Sequence, residues 1–163
     1  MARSVVDTNI LIYSRDVNEP AKRARAIEVI DHLGASGDLV LTAQILNEFS
    51  AAALRRGAPI TDVRAAVESW RDLAEVLPLQ PATTTVALDG VDRHRLSFWD
   101  ALIWATARDA QVKIVISEDF QHGREIDGVT FVDPFRDPAG AGSTPSESRR
   151  RHRRGQGAAR RPP

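Results

Sequence analysis

The sequence predicts an α/β fold with a central parallel sheet and helices on both faces. Two observations carry that prediction: short apolar, strand-like runs alternate with longer segments of helical periodicity, and acidic residues stand where such runs end. Parallel neighbours need crossover connections, which the intervening helices supply. In open sheets of this kind ligands collect beyond the carboxyl ends of the strands. Asp7 follows Ser4-Val5-Val6 and Asp119 follows a run ending at Ser117, so both fall at that edge.

The elements follow in order. Val5-Val6 reads as a buried strand, succeeded by a helical turn over residues 9–14 and a loop to Pro20. A helix over about 21–35 places Ala26, Ile30 and Leu33 on one face, with Gly34 and Gly37 closing it. Leu39-Val40-Leu41 is a short strand, and Thr42 caps a helix whose apolar face is Ile45, Phe49, Ala52 and Ala53. Gly57-Ala58-Pro59 ends it, and Thr61 is expected to cap a second helix carrying Val63, Ala66, Val67, Trp70 and Leu73 at helical spacing. The pair reads as a hairpin over about residues 43–74, and its Phe49 and Trp70, more than a thin sheet needs for cover, make it the candidate for much of a partner-contact surface. Residues 75–79 form a strand stopped by Pro81, and residues 83–94 a helix. Ser97 caps a helix over 98–110 that is apolar on nearly every side; Trp99 and Trp104 on it could stack on bases as aromatic platforms do, but in an apolar helix they read as core. Strands over 113–117 and 129–132 complete the sheet.

The zero net charge is an average of two unlike parts. Residues 1–135 hold 14 Lys+Arg against 20 Asp+Glu, a net of −6, while residues 136–163 hold 8 against 2, a net of +6. The first part is a domain large enough for a real core. The second, rich in Pro, Gly and Arg, lacks the large apolar residues to order itself and is expected to be a disordered tail. Its Arg149-Arg150-Arg151-His152-Arg153-Arg154 run reads either as a solvated extension or as a nucleic-acid-binding arm. An acidic domain is a poor electrostatic match for nucleic acid unless bound cations offset its acids. The absence of cysteine excludes disulfides, zinc–thiolate sites and thiol catalysis. No apolar run approaches the roughly 20 residues that span a bilayer, and the polar start Met1-Ala2-Arg3-Ser4 lacks a signal-peptide core, so the expected location is cytoplasmic.

Four carboxylates draw the chemistry together: Asp7, Glu48, Asp100 and Asp119. Asp100 is the only charge in the apolar stretch 98–107. A buried carboxylate neutralises itself or finds a cation, and several converging acids explain one another most economically through a divalent ion. Each also has a plainer reading. Asp7 is a fitting N-cap, and Asp100, three residues after Ser97, can be the reciprocal partner of a capping box. Glu48 can pair with Arg55 or Arg56, and Asp119 can be a turn former.

Taken together, Val5-Val6-Asp7-Thr8-Asn9, Asn47-Glu48-Phe49, Phe98-Trp99-Asp100-Ala101-Leu102-Ile103 and Ser117-Glu118-Asp119-Phe120 resemble the motifs of the PIN-domain ribonucleases, and among them the VapC toxins of toxin–antitoxin pairs. The resemblance spans residues 4–135 and implies a PIN-like fold. It implies that Asp7, Glu48, Asp100 and Asp119 are the catalytic and metal-binding acids, with Asn9 and Ser117 orienting an acid or a water. At the fourth position Glu118 and Asp119 are adjacent, and the family register favours Asp119. It further implies Mg²⁺ or Mn²⁺ as cofactor, RNA (tRNA, rRNA or mRNA) as substrate, a VapB-type antitoxin as partner and a homodimer. Mg²⁺ and Mn²⁺ favour oxygen ligands, so carboxylates suit them where Cys or His would select other metals.

Two rival classes remain. An Asp-nucleophile phosphatase wants a second Asp two residues after the first, and here that place is Asn9. A catalytically inactive PIN-like RNA-binding module would be expected to lack one or more acids, and all four are present. His94 and His122 are candidates for proton transfer, and Tyr13 and Arg15 for RNA contact.

Overall fold

In the computed structural model, which describes residues 2–136, twelve elements alternate along the chain. They are β1 (Ser4–Val6), α1 (Thr8–Tyr13), α2 (Pro20–Ser36), β2 (Leu39–Thr42), α3 (Ala43–Arg55), α4 (Ile60–Leu73), β3 (Glu75–Leu77), α5 (Pro81–His94), α6 (Phe98–Asp109), β4 (Ile114–Ile116), β5 (Glu125–Ile126) and β6 (Val129–Val132). The sheet order is β3-β2-β1-β4-β6-β5. The first five strands of that order run parallel, as predicted. β5 is an antiparallel edge strand that the sequence reading missed. Its two-residue connection, Asp127-Gly128, has positive φ at both positions, the backbone of a type I′ hairpin that glycine adopts at no steric cost.

β1 holds the centre because every residue in it is buried between two parallel neighbours. That environment favours continuous apolar runs over alternation. The strand therefore reaches its carboxyl end at full burial, and Asp7 arrives there with 4% exposure. Beside β4, α5 and α6 pack so closely that a Cβ on Gly90 would stand 2.8 Å from the Trp104 ring. Trp104 is fully buried, and its indole N–H donates to the Ile126 carbonyl at 3.1 Å, tying α6 to the edge hairpin.

Several local expectations are corrected. Gly34 lies inside α2 against Leu73, and Gly37 alone terminates that helix. Thr61 is not a cap: Pro59 precedes the first residue of α4, and the Thr61 hydroxyl donates to Asp62 instead. Phe49 and Trp70 are buried and meet edge to face at 6.4 Å, so they hold the α3–α4 hairpin together. Trp99 is 60% exposed. The domain boundary at 135 and the basic segment after it lie at and beyond the end of the described residues. Among those described, no helix is long and apolar enough to cross a membrane.

Candidate active site

The carboxyl end of β1 feeds directly into α1, and Asp7 stands at the junction. Its backbone N–H donates to the Ile116 carbonyl at 3.0 Å, extending the β1–β4 ladder by one residue. Its side chain caps α1: Oδ1 accepts from the Thr8 N–H at 2.6 Å. The capping reading of Asp7 is therefore correct, and it occupies one oxygen only. Oδ2 accepts from the Ser117 hydroxyl at 2.6 Å.

Ser117, fully buried just after β4, organises the next acid. Its Oγ accepts from the Asp119 N–H at 3.1 Å and from Asn9 Nδ2 at 3.2 Å. Asn9, one residue past Thr8 on α1, also donates to Asp119 Oδ2 at 3.0 Å. The pair named as orienting residues thus joins Asp7 to Asp119. Glu118 faces away: Oε2 pairs with Lys22 Nζ at 2.5 Å, and Oε1 accepts from the Tyr13 hydroxyl at 2.5 Å.

Glu48 reaches the same region from α3. Its Oε2 accepts from the Thr8 hydroxyl at 2.9 Å, and its Oε1 from Gln44 Nε2 at 2.8 Å. Arg55 and Arg56 are not its partners; Arg56 lies 3.8 Å from Asp16. Gln44 donates a second time, to the Trp99 carbonyl at 3.0 Å, and so ties Glu48 to the first turn of α6. In that turn Asp100 donates its N–H to Ser97 Oγ at 3.2 Å, half of the expected capping box. Thr8 and Gln44 were not singled out in the sequence. Gln44 lies one helical turn before Glu48, and that i, i+4 spacing is the signal that could have found it.

The electrostatics show that these groups sense one another. Burial pushes the Asp7 carboxyl up to about 6; the hydrogen bonds from Ser117 and Thr8 pull it back in part, and the charges of Asp119 and Glu48 add to the rise. Asp100 is also raised, first by burial, against the Ser97 hydrogen bond, and then by Asp119 and Glu48. The same two neighbours, Asp119 and Glu48, act on both acids. Among the described residues, no Lys or Arg pairs with any of the four. Nor do any three acidic or histidine side chains among those residues stand as a ready-made ligand set. The donor chemistry nevertheless fits a hard divalent cation: all carboxylate oxygen, with Asn9 Oδ1 a buried acceptor that has no donor.

Other candidates fall outside this group. Tyr13 is half-buried and bound to Glu118 and Lys22. Arg15 is exposed beside a cleft of about 410 Å³ between the α1–α2 loop and α3, lined in part by Phe49 and Arg56. His94 packs against Trp104 at 5.5 Å, and His122 Nδ1 accepts from the Asp133 N–H.

A mostly parallel sheet with Asp7 and Asp119 just past the carboxyl ends of its central strands, and Glu48 hydrogen-bonded to Thr8 beside Asp7, defines a class, and comparison with known proteins gives it a family. The sequence matches the PIN domain family over residues 4–125, and the chain belongs to that family. The fold resembles a chain of the DNA-bound VapBC of Salmonella typhimurium (TM-score 0.61, 19% identity, covering 82% of this chain and 99% of that one). It also resembles a toxin–antitoxin complex from Klebsiella pneumoniae (0.60, 18%, 80% and 97%). A third likeness is to Mycobacterium tuberculosis VapC20, described as a sarcin–ricin loop cleaving toxin (0.51, 18%, 69% and 86%). Comparison with curated protein sequences returns no match.

Proposed function

We propose that this protein is a metal-dependent endoribonuclease, the toxin of a VapBC-type pair, with Asp7, Glu48, Asp100 and Asp119 as its catalytic and metal-binding acids. The observation that carries the reading is the hydrogen-bonded network at the end of β1: Ser117 and Asn9 join Asp7 to Asp119, and Thr8 donates its N–H to Asp7 and its hydroxyl to Glu48. Family membership and the resemblance to VapC toxins support the same activity. These acids would hold Mg²⁺ or Mn²⁺, which when bound supplies a more acidic water and neutralises charge on the scissile phosphate. The chain's own residues do the rest. Ser117 and the Thr8 N–H fix both Asp7 oxygens, Asn9 sets Asp119, and Thr8 and Gln44 set Glu48. Water is the nucleophile, and no covalent link to Asp7 forms. Asn9 occupies the place a phosphatase needs for its second Asp, and it is spent on Asp119 and Ser117.

The partner is a small VapB-type antitoxin that obstructs the site, the working form is a homodimer, and the location is the cytoplasm; complexes among the structural neighbours support the partner. Residues 1–135 are the nuclease unit. The test is incubation of purified protein with total RNA, with Mn²⁺ or with EDTA, followed by mapping of new ends. Discrete metal-dependent cuts are expected, and equal cutting in EDTA would overturn the metal assignment. Expression without the partner should arrest growth of the native host, and harmless expression of folded protein would overturn the toxin role.

A further inference from the structure

Trp99 is the one large aromatic side chain strongly exposed among the described residues; the other two tryptophans, Trp70 and Trp104, are buried. It sits beside Asp100 in the first turn of α6. Its carbonyl accepts from Gln44 Nε2, and the same amide nitrogen holds Glu48, so one side chain separates the Trp99 backbone from the acid cluster. The indole is braced edge to face by Phe98, with ring centres 5.5 Å apart. A single exposed aliphatic side chain needs no explanation. A braced indole on a backbone tethered to a candidate active site is different.

We propose that Trp99 is a stacking platform for a nucleobase of the RNA flanking the cleaved bond. The proposal deepens the nuclease reading and rests on it. The chemistry suits the surroundings, because residues 1–135 carry a net charge of −6 and no Lys or Arg among the described residues pairs with the four acids. Within residues 1–135 phosphate contacts are therefore a weak source of affinity, whereas stacking uses the π-face of any base and does not depend on charge. Trp99 is in this sense a substrate-binding residue, holding a base beside the acids without acting on the reacting atoms.

The test uses the full chain and a short single-stranded RNA of mixed sequence. Binding is followed by tryptophan fluorescence in an Asp7→Asn background, and cleavage in the otherwise native protein. RNA should quench the fluorescence, and Trp99→Phe should remove the quench, since the remaining two indoles are buried. Trp99→Ala should weaken binding about 10-fold, about 1.4 kcal/mol, and Trp99→Phe by less. The Trp99→Ala ratio should be the same at low and high salt, where a phosphate contact would fade. In cleavage, Trp99→Ala should raise KM with kcat nearly unchanged, the signature of binding shared by ground and transition states.

RNA cleaved with unchanged KM by Trp99→Ala, with no Trp99-dependent quench, overturns the platform and leaves the nuclease reading standing. Trp99-dependent quenching without cleavage by the native protein does the reverse. A Trp99→Ala protein that binds RNA normally but changes its sedimentation assigns the indole to a protein interface and overturns the proposal.

Discussion

Glu118 and Asp119 are neighbours in the chain and opposites in setting. Glu118 turns toward α1 and α2, where Lys22 neutralises it and the Tyr13 hydroxyl donates to it. Lys22 lies over the Tyr13 ring at 4.3 Å and within 5.3 Å of the Phe135 ring, so this cluster balances its own charge and ties Phe135 to α1 and α2. Asp119 turns the other way. It and its three companion acids are held by the side chains of Thr8, Asn9, Gln44, Ser97 and Ser117, every one a neutral donor or acceptor. One region spends a cation to be stable; the other accumulates charge that nothing in the described chain cancels. That contrast separates an ion pair that holds structure from a set of acids that fits the proposed exogenous cation.

The largest expected difference between the regions is in catalysis. Asp7→Asn should lower kcat for RNA cleavage on the order of a thousandfold, about 4 kcal/mol, the scale of losing one preorganised electrostatic group. Glu118→Gln should leave kcat within a few-fold, since its carboxylate faces Lys22. End-labelled RNA cleaved with Mn²⁺ under single-turnover conditions measures both. Equal losses from the two substitutions would erase the distinction.

Stability against pH sharpens it next. Burial first, then the nearby acids, raise the folded Asp7 carboxyl from 3.8 to about 6, so between those values the native state holds a proton that the unfolded chain has lost. Asp7's contribution is therefore most favourable below about pH 4 and is lost as pH rises through about 6, a swing of up to about 3 kcal/mol. Urea midpoints in EDTA, for wild type and Asp7→Asn across that range, should converge toward low pH and separate toward neutral pH, with the mutant the more stable. A constant difference would place Asp7 in a solvated setting.

The same contrast explains what the sequence made legible. The sheet and Asp7 could be read because a fully buried central strand is apolar along its whole length, and an acid at its end breaks the pattern. Ser117 and Asn9 were reachable through the motifs that contain them. The choice between Glu118 and Asp119 could not be read from local pattern, because Lys22 and Tyr13 decide it from 96 and 105 residues away. The exposure of Trp99 was hidden for another reason: α6 is apolar nearly all round, so its periodicity does not say which side chain is left outside. β5 was missed because two residues have no period, although Asp127-Gly128 between Ile126 and Val129 is itself a hairpin signal.

Breaking the compensated cluster should cost moderately. Lys22→Met leaves Glu118 half-buried beside the Tyr13 oxygen, and an ion pair of intermediate exposure puts the loss at about 1 to 2 kcal/mol. Adding Glu118→Gln should return part of it, because the uncompensated charge is then gone. Denaturant unfolding of the two single variants and the double variant gives the coupling. An additive result would mean that the pair is screened and contributes little.

The smallest effect is the most discriminating, because at Asp100 two readings predict opposite signs. If the first turn of α6 simply welcomes a negative charge, Asp100→Asn should lower stability by about 0.3 to 1 kcal/mol, with no link to metal. The raised Asp100 carboxyl says the reverse: burial, with Asp119 and Glu48 behind it, outweighs the Ser97 hydrogen bond, so folding disfavours the charged form relative to the unfolded chain. Asparagine keeps the shape and removes the charge. In EDTA near neutral pH, Asp100→Asn should therefore raise Tm, by an amount worth less than about 1 kcal/mol, since a half-exposed carboxyl is partly screened by water. In Mn²⁺ the order should change. Stabilisation by a ligand grows with its affinity for the folded state, so a protein that has lost one of four oxygen-ligand carboxylates should gain less from the ion than wild type does. Glu118→Gln, one residue from Asp119 but on the compensated side, should leave the Mn²⁺ gain unaltered. Paired thermal melts of the three proteins, with EDTA and with Mn²⁺, read out both signs, and an apo Asp100→Asn that is less stable with an unchanged Mn²⁺ gain would reduce Asp100 to a helix cap.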